Sequence, residues 1–308
     1  MPASGGRHGV AVVVVVSALV TVWLLLPSPT IAERPPPASR PSHLVQHLAV
    51  PAYVDPVTAA SSWDQLTASP PGAVGIVVAN VANGPGSVPV ADWAAVIHRA
   101  QESGSRVLGY VDTGYLGSAS LVQPDGLPTR SGGLGPQAWL AQIDADIDAW
   151  YEFYGSDLGG IFLDEGTSAC GPTAGSNEYA DEYRTIRDAL RAAHPGALTA
   201  LNPGIAVPRC YDDAADVLVT FEGSYANYTG VPDSQGQDFE ALHWTPNAGR
   251  IWHIVYGATS PGEMDRAMAL SRERGAGYVY VTDAGLPNPF GSLPPADYWS
   301  AELDQRAR

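Results

Sequence analysis

The sequence predicts a (β/α)8 barrel, the TIM-barrel architecture of the α/β class, from two observations. Short runs rich in β-branched and aromatic residues recur eight times, at 48–54, 75–80, 106–112, 160–165, 198–202, 217–222, 251–256 and 278–283. Most are apolar throughout, which is typical of parallel strands buried on both faces. Helical patterns separate these runs, and eight alternations over about 260 residues favour a closed barrel. A doubly wound open sheet is the alternative, but no glycine-rich phosphate-binding loop follows the first run.

The helical segments are recognised by apolar residues that recur on one face at a spacing of three or four. These positions, which we interpret as core contacts, are Trp93, Val96, Ile97 and Ala100; Trp139, Ile143, Ile147 and Trp150; Tyr183, Ile186 and Leu190; and Met264, Met268 and Ala269. The interval between the fifth and sixth strands is short, so the helix there must be abbreviated.

The first 32 residues are predicted to be an export segment and not part of the fold. Arg7 and His8 form a short positive region, and residues 10–26 form an apolar run. Thr30-Ile31-Ala32 then supplies small residues at the positions that a signal peptidase recognises. An uncleaved membrane anchor is the alternative, since the apolar run approaches the length of a membrane span. Residues 33–43 are proline-rich and predict a linker, and 44–308 form the barrel domain. Either way the domain lies outside the cytoplasm, secreted or extracytoplasmic.

The formal charge of −16 comes from 32 acidic and 16 basic residues, and every basic residue is an arginine. This balance argues against a nucleic-acid partner, whose phosphates need a basic face. An acidic protein attracts cationic ligands instead. The alternative is that the acidity serves only the solubility of an exported protein.

No motif for a cofactor or a metal is present, and none is predicted. The chain has neither a Gly-x-Ser-x-Gly elbow nor a His-Glu-x-x-His pair. Its two cysteines, Cys170 and Cys210, fit an oxidising compartment and one disulfide, with a pair of free buried thiols as the alternative. His253 in the seventh strand is a candidate for substrate contact, or else a hydrogen-bonded interior residue.

Active sites of such barrels lie at the carboxyl ends of the strands. In chain order these ends supply Tyr53 and Asp55, Asn80 and Asn83, Tyr110, Asp112 and Tyr115, Asp164 and Glu165, Asn202, Glu222, Tyr256, and Asp283. Aromatic faces stack on sugar rings, while carboxylates and amides bond to hydroxyl groups. The ring of side chains therefore indicates a carbohydrate site.

Six motifs along the chain resemble the spherulin-4-like proteins, glycoside hydrolase family 135. Each motif follows or ends a predicted strand, and their order covers residues 48–285. They are Val50-Pro51-Ala52-Tyr53, Asn80-x-x-Asn83-Gly84-Pro85-Gly86, Leu108-Gly109-Tyr110-Val111-Asp112-Thr113, Gly160-Ile161-Phe162-Leu163-Asp164-Glu165, Asn202-Pro203-Gly204, and Phe221-Glu222-Gly223.

The resemblance implies a barrel that cleaves α-1,4-linked galactosamine-containing polysaccharide internally. We also expect a monomer that needs no cofactor. Its adjacent acid pair corresponds to Asp164 and Glu165, and its separate glutamate to Glu222. We expect Asp164 to be the nucleophile or charge stabiliser, Glu222 the general acid/base, and Glu165 a residue that tunes or orients one of them. The alternatives are a structural acid pair before a helix, a barrel that binds glycans without turnover, and a glycosidase for another amino-sugar polymer.

From the same ring of strand ends, together with His253 of the seventh strand, we select the residues expected to contact substrate. They are Tyr53, Asn80, Tyr110, Asp112, Asn202, His253 and Asp283. A polysaccharide that carries free amino groups would be cationic and would suit the acidic protein.

Overall fold

Eight parallel strands form a closed barrel in which each strand pairs with the next along the chain and the eighth pairs with the first. The computed structural model describes residues 46–118, 125–230, 245 and 247–306. The strands are β1 His47–Ala52, β2 Val74–Ala79, β3 Arg106–Asp112, β4 Gly160–Asp164, β5 Leu198–Leu201, β6 Val217–Ser224, β7 Ile251–Tyr256 and β8 Tyr278–Val281. The predicted barrel is thereby confirmed, and every strand begins and ends within two residues of the predicted segment.

In the part of the chain that the structure describes, seven α-helices accompany the strands. They are α1 Ala60–Thr67, α2 Ala91–Glu102, α3 Pro136–Tyr154, α4 Glu178–Ala193, α5 Tyr225–Thr229, α6 Pro261–Glu273 and α7 Ala296–Gln305. Between β5 and β6 the described chain forms only the 3₁₀ turn Arg209–Tyr211, as the short interval predicted. The apolar helix faces are buried; for example, α2 buries Trp93 and Ile97 and α4 buries Tyr183.

The predicted export segment and the proline-rich linker lie outside the described residues. No helix in the described part of the chain is long and apolar enough to cross a membrane.

Aromatic side chains fill the barrel interior below the carboxyl ends of the strands. The ring of Tyr110 lies 5.4 Å from that of Tyr53 and 6.3 Å from that of Phe162. Phe162 in turn packs at 5.5 Å against Trp252. Close-packed interiors of this kind resist deformation, so these rings give the cavity above them a rigid floor.

A buried glutamate of α7 completes the seam between β1 and β8. The two strands pair only at His47 with Tyr278 and at Leu48 with Val279. Beyond that point the Val281 N–H donates to Glu302 Oε1 at 2.8 Å, and Glu302 is 0% exposed. Burial raises the pKa of Glu302 to about 8, with the bond from Val281 opposing this shift.

This burial predicts a pH-dependent stability that Glu302→Gln should remove. In the folded state the Glu302 carboxyl keeps its proton up to about pH 8. In the unfolded chain a glutamate releases its proton above about pH 4.3. The parent's free energy of unfolding should therefore fall as pH rises across this window, with a slope of up to about 1.4 kcal/mol per pH unit. Glutamine can still accept from Val281, and urea unfolding between about pH 5 and 8 should give a flatter profile. Parallel profiles for parent and variant would contradict the prediction.

Candidate active site

A cavity of about 650 Å³ opens at the carboxyl ends of the strands, which is where the sequence predicts the active site. Its walls carry aromatic, amide and carboxyl side chains. The lining consists of Tyr53, Asn80, Asn83, Tyr110, Tyr115, Asp164, Glu165, Asn202, Pro203, Gly204, Glu222, Tyr256 and residues 286–290. None of these is an arginine, lysine or histidine, so the described walls of the cavity carry only acidic charge.

Asp164 is the last residue of β4 and is held by several donors. Its Oδ1 accepts from Asn202 Nδ2 at 2.7 Å, and it also accepts from the Tyr110 hydroxyl and the Glu165 backbone N–H. Burial raises the pKa of Asp164, and these three hydrogen bonds act against that rise because they favour the ionised carboxylate.

Glu222 lies on β6, two strands away from Asp164 in the barrel. Its Oε2 accepts from Asn202 Nδ2 at 2.6 Å. Burial and, to a smaller extent, the nearby charge of Asp164 raise its pKa to about 7, while the bond from Asn202 acts in the opposite direction. A carboxyl with such a pKa holds a proton at neutral pH for a large part of the time and can act as an acid.

One amide nitrogen connects the two carboxyls. Asp164 Oδ1 lies 2.7 Å and Glu222 Oε2 2.6 Å from Asn202 Nδ2, so the two oxygens are at most about 5.3 Å apart. Glycosidases that retain anomeric configuration separate their two carboxyls by about 5 to 5.5 Å, and inverting enzymes by more than about 6.5 Å.

Glu165 faces the same cavity although it directly follows Asp164. Successive residues of a regular strand point to opposite faces. Here β4 ends at Asp164, and Glu165 adopts φ 51°, a left-handed conformation that turns the chain and brings both acids to the cavity wall. Burial, together with the charges of Asp112 and Asp164, raises the pKa of Glu165 to about 7.

Of the residues expected to contact substrate, Tyr53, Asn80, Tyr110 and Asn202 line the cavity. Asp112 does not belong to the lining. Its Oδ2 accepts from Asn83 Nδ2 at 3.1 Å, so it holds a neighbouring residue that does line the cavity. Asp283 follows β8 and is likewise absent from the lining.

The structure corrects the expectation for His253. Tyr256 of the same strand lines the cavity, so alternation along β7 turns His253 to the opposite, helix-facing side. There its Nδ1 forms a 2.7 Å hydrogen bond with the Tyr228 hydroxyl of α5. The residue is a hydrogen-bonded interior histidine, which was the alternative interpretation.

The loop after β8 supplies a wall of the cavity that the sequence analysis missed. It contributes residues 286–290, of which Leu286 is 72% exposed and Phe290 packs at 5.6 Å against Tyr53. The sequence indicates this wall only through the position of the loop after the last strand and through its two prolines. Prolines predict an extended loop, but they do not predict which residues it contacts.

The predicted disulfide joins Cys170 and Cys210, with Cα atoms 5.9 Å apart. It connects the loops that follow β4, whose last residue is Asp164, and β5, which Asn202 directly follows. Next to it, the Tyr211 hydroxyl donates to the Ala169 carbonyl at 2.8 Å. These links tie together two loops of the cavity rim. Among the described residues, no group of three or more His, Cys, Asp or Glu side chains is arranged to hold a metal ion.

Comparison with known proteins identifies the family of this chain and solved structures that share its fold. The model of the Spherulin4 family, spherulation-specific family 4, matches residues 47–305. The crystal structure of Sph3 from Aspergillus clavatus in complex with GalNAc is 20% identical, with a TM-score of 0.63, over 85% of this chain and 98% of Sph3. The glycoside hydrolase domain of PelA from Pseudomonas aeruginosa is 16% identical, with a TM-score of 0.45, over 76% and 93% of the two chains. No curated protein matches the sequence. At these identities the likeness of Sph3 supports the fold alone.

Proposed function

The chain belongs to spherulation-specific family 4, and from this premise we propose that it is a secreted glycoside hydrolase. Its substrate is an α-1,4-linked galactosamine or N-acetylgalactosamine polysaccharide, which it cleaves internally. The observation that carries the proposal is the pair of carboxyls, Asp164 and Glu222, joined by one amide nitrogen at the base of an open cavity.

The two carboxyls differ in the way that the two roles of a glycosidase require. Asp164 accepts three hydrogen bonds, which favour the ionised form that a nucleophile needs. Glu222 accepts one from Asn202, and its pKa of about 7 lets it protonate the leaving glycosidic oxygen and later deprotonate water. In this mechanism Asp164 attacks the anomeric carbon, and a covalent glycosyl-enzyme forms and is then hydrolysed. The separation of the two carboxyls fits this double displacement, whose product keeps the configuration of the substrate.

The chemistry of the cavity supports an amino-sugar polymer. Tyr53, Tyr110, Tyr115 and Tyr256 contribute aromatic rings to the lining, of which Tyr115 is 42% exposed, and the described lining carries acidic groups without a basic one. Sugar rings stack on aromatic faces, and an acidic cavity favours a substrate that carries protonated amino groups. Sph3, which shares the fold, was crystallised with GalNAc. The disulfide fits an oxidising compartment outside the cytoplasm and so supports secretion.

The proposal predicts release of reducing ends from galactosamine polymers with retention at the anomeric carbon. Purified protein is incubated with fully acetylated, partly deacetylated and fully deacetylated α-1,4-galactosamine polymer, and products are sized over time. Early products of intermediate length indicate internal cleavage, and proton NMR of the first product should show the α-anomer.

Matched polymers of glucosamine with the same degree of acetylation are the control. Cleavage of these polymers alone would assign the enzyme to another amino-sugar polymer, and binding without new reducing ends would identify a glycan-binding barrel. A first product with the β-anomer would contradict the double displacement.

A further inference from the structure

We propose that Asn202 is a positioning residue that fixes the spacing of the two catalytic carboxyls, and that it does not bind substrate. This inference rests on the proposed function, since it assigns a role within the same site. It departs from the sequence-based expectation, in which Asn202 was a substrate contact.

All the hydrogen-bonding groups of the Asn202 side chain are already engaged within the protein. An asparagine amide nitrogen has two hydrogens. In Asn202 one of them points to Asp164 Oδ1 and the other to Glu222 Oε2, while Oδ1 accepts from the Gly204 N–H at 2.9 Å. Asn202 is also only 6% exposed. It therefore has no donor left for a sugar hydroxyl.

The orientation of the amide is fixed by its surroundings. Because the Gly204 N–H can only donate, it requires the oxygen of the amide, and the nitrogen must then face the two carboxyls. A reversed amide would place its oxygen against two carboxyl oxygens and its nitrogen against a donor. The bridge is therefore specific to this side chain and this orientation.

Backbone hydrogen bonds hold Asn202 in place relative to both partners. Its N–H donates to the Leu163 carbonyl, next to Asp164, and its carbonyl accepts from the Gly166 N–H, each at 2.8 Å. On the other side, the Glu222 N–H donates to the Gly204 carbonyl at 2.9 Å. The residue is thus anchored to the end of β4 and, through Gly204, to β6, so the amide acts as a fixed spacer between the two acids.

The electrostatic surroundings make this amide important to both carboxyls. The other titratable side chains that face them come from β1, β3, the turn after β3, the end of β4 and β7: Tyr53, Tyr110, Asp112, Tyr115, Glu165 and Tyr256. All of these are acids. The Asn202 amide is a neutral donor shared by both carboxyls, and its hydrogen bonds lower the pKa of Asp164 and that of Glu222.

The test compares Asn202→Ala and Asn202→Leu with Asn177→Ala, an exposed asparagine at the start of α4 whose side chain makes no capping bond. Loss of the spacer should lower kcat by about 100-fold, the cost of a misplacement of about 1 Å at a reacting centre, while KM changes by less than about threefold. Both limbs of the pH profile should move to higher pH, because each carboxyl loses a bond that favours its ionised form. Asn177→Ala should match the parent.

A titration without substrate keeps this inference separate from the proposed activity. Carbon NMR of the carboxyl groups in the substrate-free protein should show that the pKa values of Asp164 and Glu222 both rise in Asn202→Ala. An unchanged titration of both carboxyls would overturn the spacer role, even if the parent cleaves the polymer. A raised KM with unchanged kcat and an unchanged pH profile would also overturn it, since that result is expected of a substrate contact. Asn202→Leu has nearly the size of asparagine, carries no hydrogen-bond donor and adds no titratable group, so it gives the same readouts if the alanine variant does not fold.

Discussion

Glu222→Gln is expected to lower turnover of the polymer by about 10³-fold or more while leaving the fold intact. Glutamine has nearly the same shape, and its oxygen can still accept from Asn202. It cannot give a proton to the leaving oxygen, and the leaving sugar would have to depart as an unstable alkoxide. Initial rates over a range of substrate concentrations should show the loss in kcat, and the melting temperature should stay close to that of the parent.

A substrate with an activated leaving group identifies the acid specifically. A nitrophenyl glycoside of the cleaved sugar needs little protonation as it leaves, so Glu222→Gln should retain the first, glycosyl-transfer step on it. Glu152→Gln, on the exposed side of α3, is the matched control and should behave as the parent. Near-normal turnover of the natural polymer by Glu222→Gln would refute the assignment.

Asp164→Asn is expected to lower turnover by about 10⁴-fold or more, since it removes the nucleophile. A neutral amide neither attacks the anomeric carbon efficiently nor stabilises the positive charge that develops there. The loss should be equally large on an activated aryl glycoside, because glycosyl transfer to the enzyme is the step that fails. This contrast with Glu222→Gln separates the two roles.

Two further variants complete this comparison. Asp148→Asn, on the exposed side of α3, controls for loss of an acid elsewhere in the protein and should be active. Glu165→Gln should impair turnover less than Asp164→Asn, because Glu165 acts on its neighbours through its charge. If Glu165→Gln is inactive and Asp164→Asn is active, the two acids exchange their proposed roles.

The sequence by itself determined the barrel and the location of its site. Apolar runs such as those of β3 and β4 are buried on both faces, and only a parallel sheet covered by helices accommodates eight of them in alternation with amphipathic segments. The short chain between β5 and β6 was enough to predict an abbreviated helix. Since all carboxyl ends of a parallel barrel meet at one rim, the strand ends placed Asp164, Glu165 and Glu222 in one ring with other acids. The resemblance to the family then singled out these three. The face of His253 could also have been predicted, since it alternates with Tyr256.

Only the tertiary structure decided how these side chains meet. The left-handed backbone of Glu165, which brings two successive acids to one wall, depends on contacts with the turn after β3, where the Tyr115 N–H donates to its carbonyl at 2.7 Å. The bridge from Asn202 joins residues that are 38 and 20 positions apart in the chain. The wall formed by residues 286–290 and the burial of Glu302 depend likewise on packing between distant segments. Local periodicity records which face of an element is buried, but the distance between two side chains on different strands is set by register and loop conformation, which no local pattern encodes.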